Sequence, residues 1–181
     1  IAVILPLSSF AQGVDFKSLT MQEAQAVAEK EKKMIFIDFY TTWCGPCKMM
    51  SSEVFTQDQV GEYFNRAFVN LKVDAEKGEG VELAKKYQVK VYPTFVILNE
   101  DGEVIHKMVG GMKAEKFLQH VQNGIGEHSL YSYEKRYAEG ERDPQFVYSY
   151  IETLARAIMK ERIEEVLHEY WGTLTDQEKS G

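Results

Sequence analysis

The sequence holds only two cysteines, four prolines and four histidines among its 181 residues, and each shortage closes off a class of protein. Two cysteines cannot build the disulfide framework of a small secreted fold, and they are half of the ligand set of a structural zinc site. The histidines His106, His120, His128 and His168 are scattered, none at metal-ligand spacing from Cys44 or Cys47, so no metal is expected unless two chains share one or distant residues complete its ligand set. Beyond its first residues the chain has no apolar run approaching the roughly 18 residues of a bilayer span, and it is not expected to be membrane-spanning. Basic charge is short as well: the formal net charge is −7, which argues against nucleic acid as a partner, since such binders carry a basic stripe. Hydrophobic residues make up 44% and aromatics 12%, enough to bury the core of one domain with an appendage.

Residues 1–12 are apolar, then small and polar, and read as the remnant of a secretory signal peptide with Ser9-Phe10-Ala11 as its cleavage box. This reading puts the protein in the periplasm or otherwise exports it; the alternative is an ordinary apolar first strand, which Pro6 and the serine pair would interrupt. Residues 18–33 turn helical, with Thr20 and Glu23 placed as a capping box. The run from Met34 to Tyr40 is nearly all apolar, as in a central strand covered on both faces, and Asp38 is the anomaly in it. A helix follows the cysteines, Asp58 is placed as the N-cap of a short helix through Phe64, and 67–73 reads as a strand. Then come a helix over 79–87, strands over 91–98 and 103–109 around an Asp101-Gly102 turn, and a helix over 114–125. The order β-α-β-α-β-β-α makes an α/β domain over residues 15–126. Residues 129–172 carry helical patterns alone: 130–139, then about 144–159 with Asp143 as N-cap and Pro144 at the first turn, then 161–171 stopped by Gly172. An isolated core of that size is marginal, so this all-α extension is expected to pack on the first domain or on a partner.

Trp43-Cys44-Gly45-Pro46-Cys47-Lys48 holds both cysteines at the junction of a strand and a helix. Residues three apart at a helix start lie one above the other, with Cα atoms about 5 to 6 Å apart, a span that a disulfide accepts. Dithiol and disulfide can therefore interconvert with little backbone movement. Unpaired N–H groups and the helix dipole favour a thiolate at Cys44, which is expected to be the nucleophile and the more exposed of the two. Cys47, one turn deeper, would resolve a mixed disulfide. Pro46 fixes the helical φ without losing a hydrogen bond, and Gly45 lets a substrate backbone approach.

These six residues after the strand, with Val91-Tyr92-Pro93-Thr94 further on, resemble the active site and cis-proline loop of the thioredoxin superfamily. The segment 54–60 is similar to that of periplasmic reductase domains of the DsbD type. What the resemblance implies is a thioredoxin-like fold, a central mixed sheet flanked by helices, and a Cys44/Cys47 couple that exchanges with protein disulfide substrates, needs no cofactor and is recharged by an unidentified thiol electron donor. Asp38 matches the family's buried acid, which takes the proton of Cys47; an acid reaching solvent at the strand end is the alternative. Trp43, Gly45, Pro46, Tyr92 and Pro93 match the substrate-binding edge, as does Gly110, with Gly111 as the other candidate turn residue. The chain departs from the family at Asn70, which stands where a lysine assists the acid; the nearest lysine is Lys72, on the same strand parity. Gly-Pro between the cysteines points to a reductase, an oxidase or isomerase would use the same residues, and a client-binding module built on the Pro93 groove and the helical extension is the rival of another class.

Overall fold

The computed structural model describes residues 13–177, so the reading of residues 1–12 lies outside the described residues. Thr20 caps helix α1 (Met21–Glu31) as the sequence implies: its side chain accepts from the Glu23 N–H, and the Glu23 carboxylate accepts from the Thr20 N–H. Strand β2 (Met34–Tyr40) follows at once. It sits at the middle of a five-stranded mixed sheet of order β1-β3-β2-β4-β5, with β1 (Phe16–Lys17), β3 (Phe68–Asp74), β4 (Thr94–Leu98) and β5 (Val104–Val109). Strands β1 and β2 run parallel to β3, whereas β4 is antiparallel to both β2 and β5.

Alternation along β2 sorts its side chains to the two faces of the sheet. Ile35, Ile37 and Phe39 meet Ala24 and Ala28 of α1 and Leu83 of α4 (Glu79–Lys86) on one side. Phe36 points to the other side, among Phe64 of α3 (Asp58–Ala67), Phe95 and Phe117 of α5 (Ala114–Asn123). The Phe36 and Phe64 rings meet edge to face at 4.7 Å, the arrangement that ring quadrupoles favour. Parity puts Asp38 on the Phe36 side. That is also the side of helix α2 (Gly45–Met49), which carries the cysteines.

Several boundaries differ from the sequence reading. Two-residue β1 has no periodicity to show. Val91, Tyr92 and Pro93 are loop rather than strand, and β4 begins at Thr94. Asp58 lies inside α3, whose N-cap is Gln57, and α3 runs on to Ala67. Helix α2 passes directly into a π-helical turn, Met50–Val54. In the extension, α6 (Leu130–Ala138) ends as expected, but α7 (Pro144–Arg156) stops early because Ile158 turns left-handed with φ of 55°. Helix α8 (Lys160–Thr173) runs through Gly172, since an exposed glycine weakens a helix without ending it. The extension docks on the first domain: Val104 of β5 packs against the cluster of Leu130, Tyr133, Tyr150 and Leu154, the Leu130 N–H donates to His106 Nδ1, and Lys90 pairs with Glu161.

Candidate active site

Helix α2 starts at Cys44 because Cys44 itself is the cap. Its backbone is extended (φ −71°, ψ 109°), its Sγ accepts from the Cys47 N–H at 3.1 Å, and Pro46 fills a first-turn position that needs no donor. Cys44 and Cys47 are joined in a disulfide with Cα atoms 5.3 Å apart. Both residues are 3% exposed, so in this oxidised form Cys44 is not the more exposed one. The bond closes the sulfurs on each other under the helix turn, and access to Cys44 comes from what surrounds it. Space is open around Gly45, where an added Cβ would meet nothing within 4 Å. Trp43 stands beside it, 65% exposed, its Nε1–H donating to the Glu76 carboxylate at 3.0 Å. Its ring meets Tyr92 edge to face at 6.0 Å.

The Tyr92–Pro93 peptide is cis. Pro93 O accepts from the Gly110 N–H at 2.9 Å, which ties the loop to the residue after β5. Gly110 has φ of 92°, a left-handed conformation that L side chains avoid, so it is the turn residue at this point. Gly111 serves differently: a Cβ there would press on Met49 Cε at 2.8 Å and Pro46 Cβ at 3.3 Å. The structure thus brings Trp43, Gly45, Pro46, Tyr92, Pro93 and Gly110 to one rim around the disulfide.

Beneath the rim lies Asp38, fully buried, with neither carboxylate oxygen hydrogen-bonded. It does not reach solvent at a strand end. Desolvation pushes its pKa up to about 7, against the pull of Lys72. The charge partner that Asn70 fails to supply is therefore Lys72, whose Nζ is 3.7 Å from Asp38 Oδ2. At that separation the ammonium is an ion-pair partner rather than a hydrogen-bond donor. The register explains it, because Asp38 of β2 lies directly across from Lys72 of β3.

Lys72 has further neighbours that sequence reading missed. Its ammonium donates to Ser51 Oγ and sits over the Tyr40 ring at 5.2 Å, and Ser51 in turn donates to the Cys47 carbonyl at 3.0 Å. Tyr40 is thus a platform for the cation. Ser51 is in place because the π-helical turn follows α2 directly, and no periodicity in the sequence marks such a turn. An open cavity of about 340 Å³, lined by Tyr40, Thr41, Cys47, Ser51 and Lys72 among others, connects this cluster to solvent. Lys72 thus links the buried acid to the Cys47 turn: its ammonium pairs with Asp38 and donates to Ser51, which donates to the Cys47 carbonyl. Among the described residues, no cluster of three His, Cys, Asp or Glu side chains is arranged to hold a metal.

A family model for a thioredoxin-like domain matches residues 21–125. Thioredoxin Y of Oryza sativa subsp. japonica, a chloroplastic protein, is 31% identical over 112 residues, 62% of this chain and 63% of its own length. A second chloroplastic relative, from Arabidopsis thaliana, is covered over 62% of its length, so the chain spans a little under two thirds of these curated relatives. Among solved structures, a Bacteroides thetaiotaomicron protein described as a candidate disulphide-isomerase is 51% identical with a TM-score of 0.59, over 64% of this chain and 95% of that one. A thioredoxin from Thermus thermophilus is 26% identical with a TM-score of 0.56, over 64% and 92% of the two chains.

Proposed function

Because the chain belongs to the thioredoxin-like domain family, we propose that it is an exported thiol-disulfide oxidoreductase that reduces protein disulfides in the cell envelope. The observation that carries the reading is the Cys44–Cys47 disulfide at a helix start, linked through Ser51 and Lys72 to a buried acid whose pKa lies near neutrality. In the reduced protein the Cys44 thiolate attacks one sulfur of a client disulfide. A Cys44–client bond forms, and the first client thiolate leaves. Cys47 then gives its proton to the Asp38 carboxylate and attacks Cys44 Sγ; the Cys44–Cys47 bond closes and the second client thiolate departs. Two electrons pass from the cysteine pair to the client, and a thiol donor restores the dithiol.

The client backbone lies along Tyr92 and Pro93 as an added strand, with Gly45 and Gly110 offering no side chain to obstruct it. Export is supported by the composition of residues 1–12. In an oxidising compartment the couple needs electrons from outside, which is why a donor belongs to the reading. The direction is supported by Gly45-Pro46 between the cysteines, a dipeptide that goes with a couple near −270 mV, about the value of thioredoxin. A second direction, isomerisation, is favoured by the 51% identity to the Bacteroides protein.

Equilibration of the Cys44/Cys47 couple against a redox buffer separates these directions. A potential near −270 mV, with turnover on a protein disulfide that Cys44→Ser abolishes, is the expected result. A potential near −120 mV would make the protein an oxidant and reverse the assignment. Efficient rearrangement of a scrambled client without net reduction would make it an isomerase.

A further inference from the structure

The helical extension adds a wall to the first domain that the chemistry at the disulfide does not use. Where α7 ends over β5 and α5, two adjoining hollows of about 170 and 320 Å³ share Met108, His120 and Arg156. The larger one extends to Lys116 and to Gly111. Gly111 follows Gly110, whose N–H is bonded to Pro93 O, and lies against Pro46 and Met49. The cleft therefore opens where the edge assigned to the client ends.

Its field is positive, a local departure in a chain of net charge −7. Burial first, then Arg156 and Lys116, hold the pKa of His120 below its ordinary value. His106 on the inner wall is pushed down to about 4 by burial, then by His120 and Arg156. Its Nδ1 accepts from the Leu130 N–H at 3.3 Å, so the neutral ring carries its proton on Nε2 and is a donor. Glu152 on the same wall stands 3.9 Å from Arg156, with both side chains about half exposed at 46% and 59%. So loose and solvated a pair leaves guanidinium donors for another carboxylate.

We propose that this cleft is a specificity subsite for acidic residues of the client, taking Asp or Glu side chains a few residues along the chain from the cysteine under attack. The inference rests on the oxidoreductase reading above. At about 3.3 Å per residue, a client strand leaving the Pro93–Gly110 edge enters the cleft within a few residues. Arg156 lies outside the matched residues 21–125 and Lys116 within them, so the extension completes a subsite that the shared domain supplies only in part.

Three synthetic peptides test it, each bearing one cysteine in mixed disulfide with a coloured thiol and flanked by acidic, neutral or basic residues. Reduced protein should release the thiol from the acidic peptide about tenfold faster than from the neutral one, the size that two exposed ion pairs supply. High salt should erase the difference, and Arg156→Gln or Lys116→Gln should bring the acidic-to-neutral ratio toward one. Equal rates for the three peptides, or a ratio that both variants retain, overturns the subsite alone. Release from none of the peptides overturns the oxidoreductase reading and this inference with it.

Discussion

Replacing Asp38 by asparagine should stabilise the oxidised protein at alkaline pH and slow it as a catalyst. Asp38 is fully buried, and its folded pKa is about 7 against an ordinary 3.8. The folded state thus holds the Asp38 proton more tightly than the unfolded chain does. Stability from this group is complete below about pH 4, falls as pH rises and is gone above about pH 7. Three units at about 1.4 kcal/mol each put the loss at about 4 kcal/mol as an upper figure. The amide that replaces the carboxyl does not titrate. Urea unfolding of oxidised wild type and Asp38→Asn should therefore differ little at pH 4, with the variant ahead by about 2 to 4 kcal/mol at pH 8. Resolution of a preformed mixed disulfide at pH 7 should slow by roughly a hundredfold, the lower range for loss of a positioned base. A stability difference that is the same at both pH values would refute the reasoning, because it would mean that Asp38 does not change protonation between them.

Other perturbations probe separate parts of the fold. Lys72→Met removes the ammonium 3.7 Å from Asp38, so the acid's pKa should rise by about one unit or more; the alkaline rise of the resolving rate, followed in a pH–rate profile, should move up with it. Phe36→Ala empties a fully buried ring site among Phe64, Phe95 and Phe117 and should cost about 3 to 5 kcal/mol in urea unfolding without shifting that profile. Lys107→Met strips the donor from the Tyr87 and Gln88 carbonyls at the end of α4, and a loss of about 1 to 3 kcal/mol is expected in the same assay.

The redox pair was readable because its chemistry is local: a cap, a proline and two cysteines within one turn specify each other. The α1 capping box was readable for the same reason. Asp38 stood out as a charge in an apolar run, and its burial follows from β2 lying at the centre of the sheet. Lys72 was harder. It becomes the partner of Asp38 only through the parallel pairing of β2 with β3, a non-local fact that places a residue two positions from Asn70 opposite the acid. Ser51 depends on the π-helical turn, and the two-residue β1 is held by its pairing with β3 rather than by any pattern of its own. Helical stripes in residues 129–172 announced that these helices bury a face, but only the contacts of Val104 and His106 say against what.

That docking has a consequence for solubility. Among the described residues the sheet has two outer strands: β1 is two residues long, too short to template much pairing, while β5 spans six. Outer strands of that length invite the same strand of another copy to add on. With α6 and α7 lying against β5, Leu130 bonded to His106 and Val104 packed on the extension, the start of the longer margin is covered. A chain cut after Gly126 would keep its disulfide chemistry and expose that margin, so its first defect should be self-association that rises with concentration rather than a loss of redox activity.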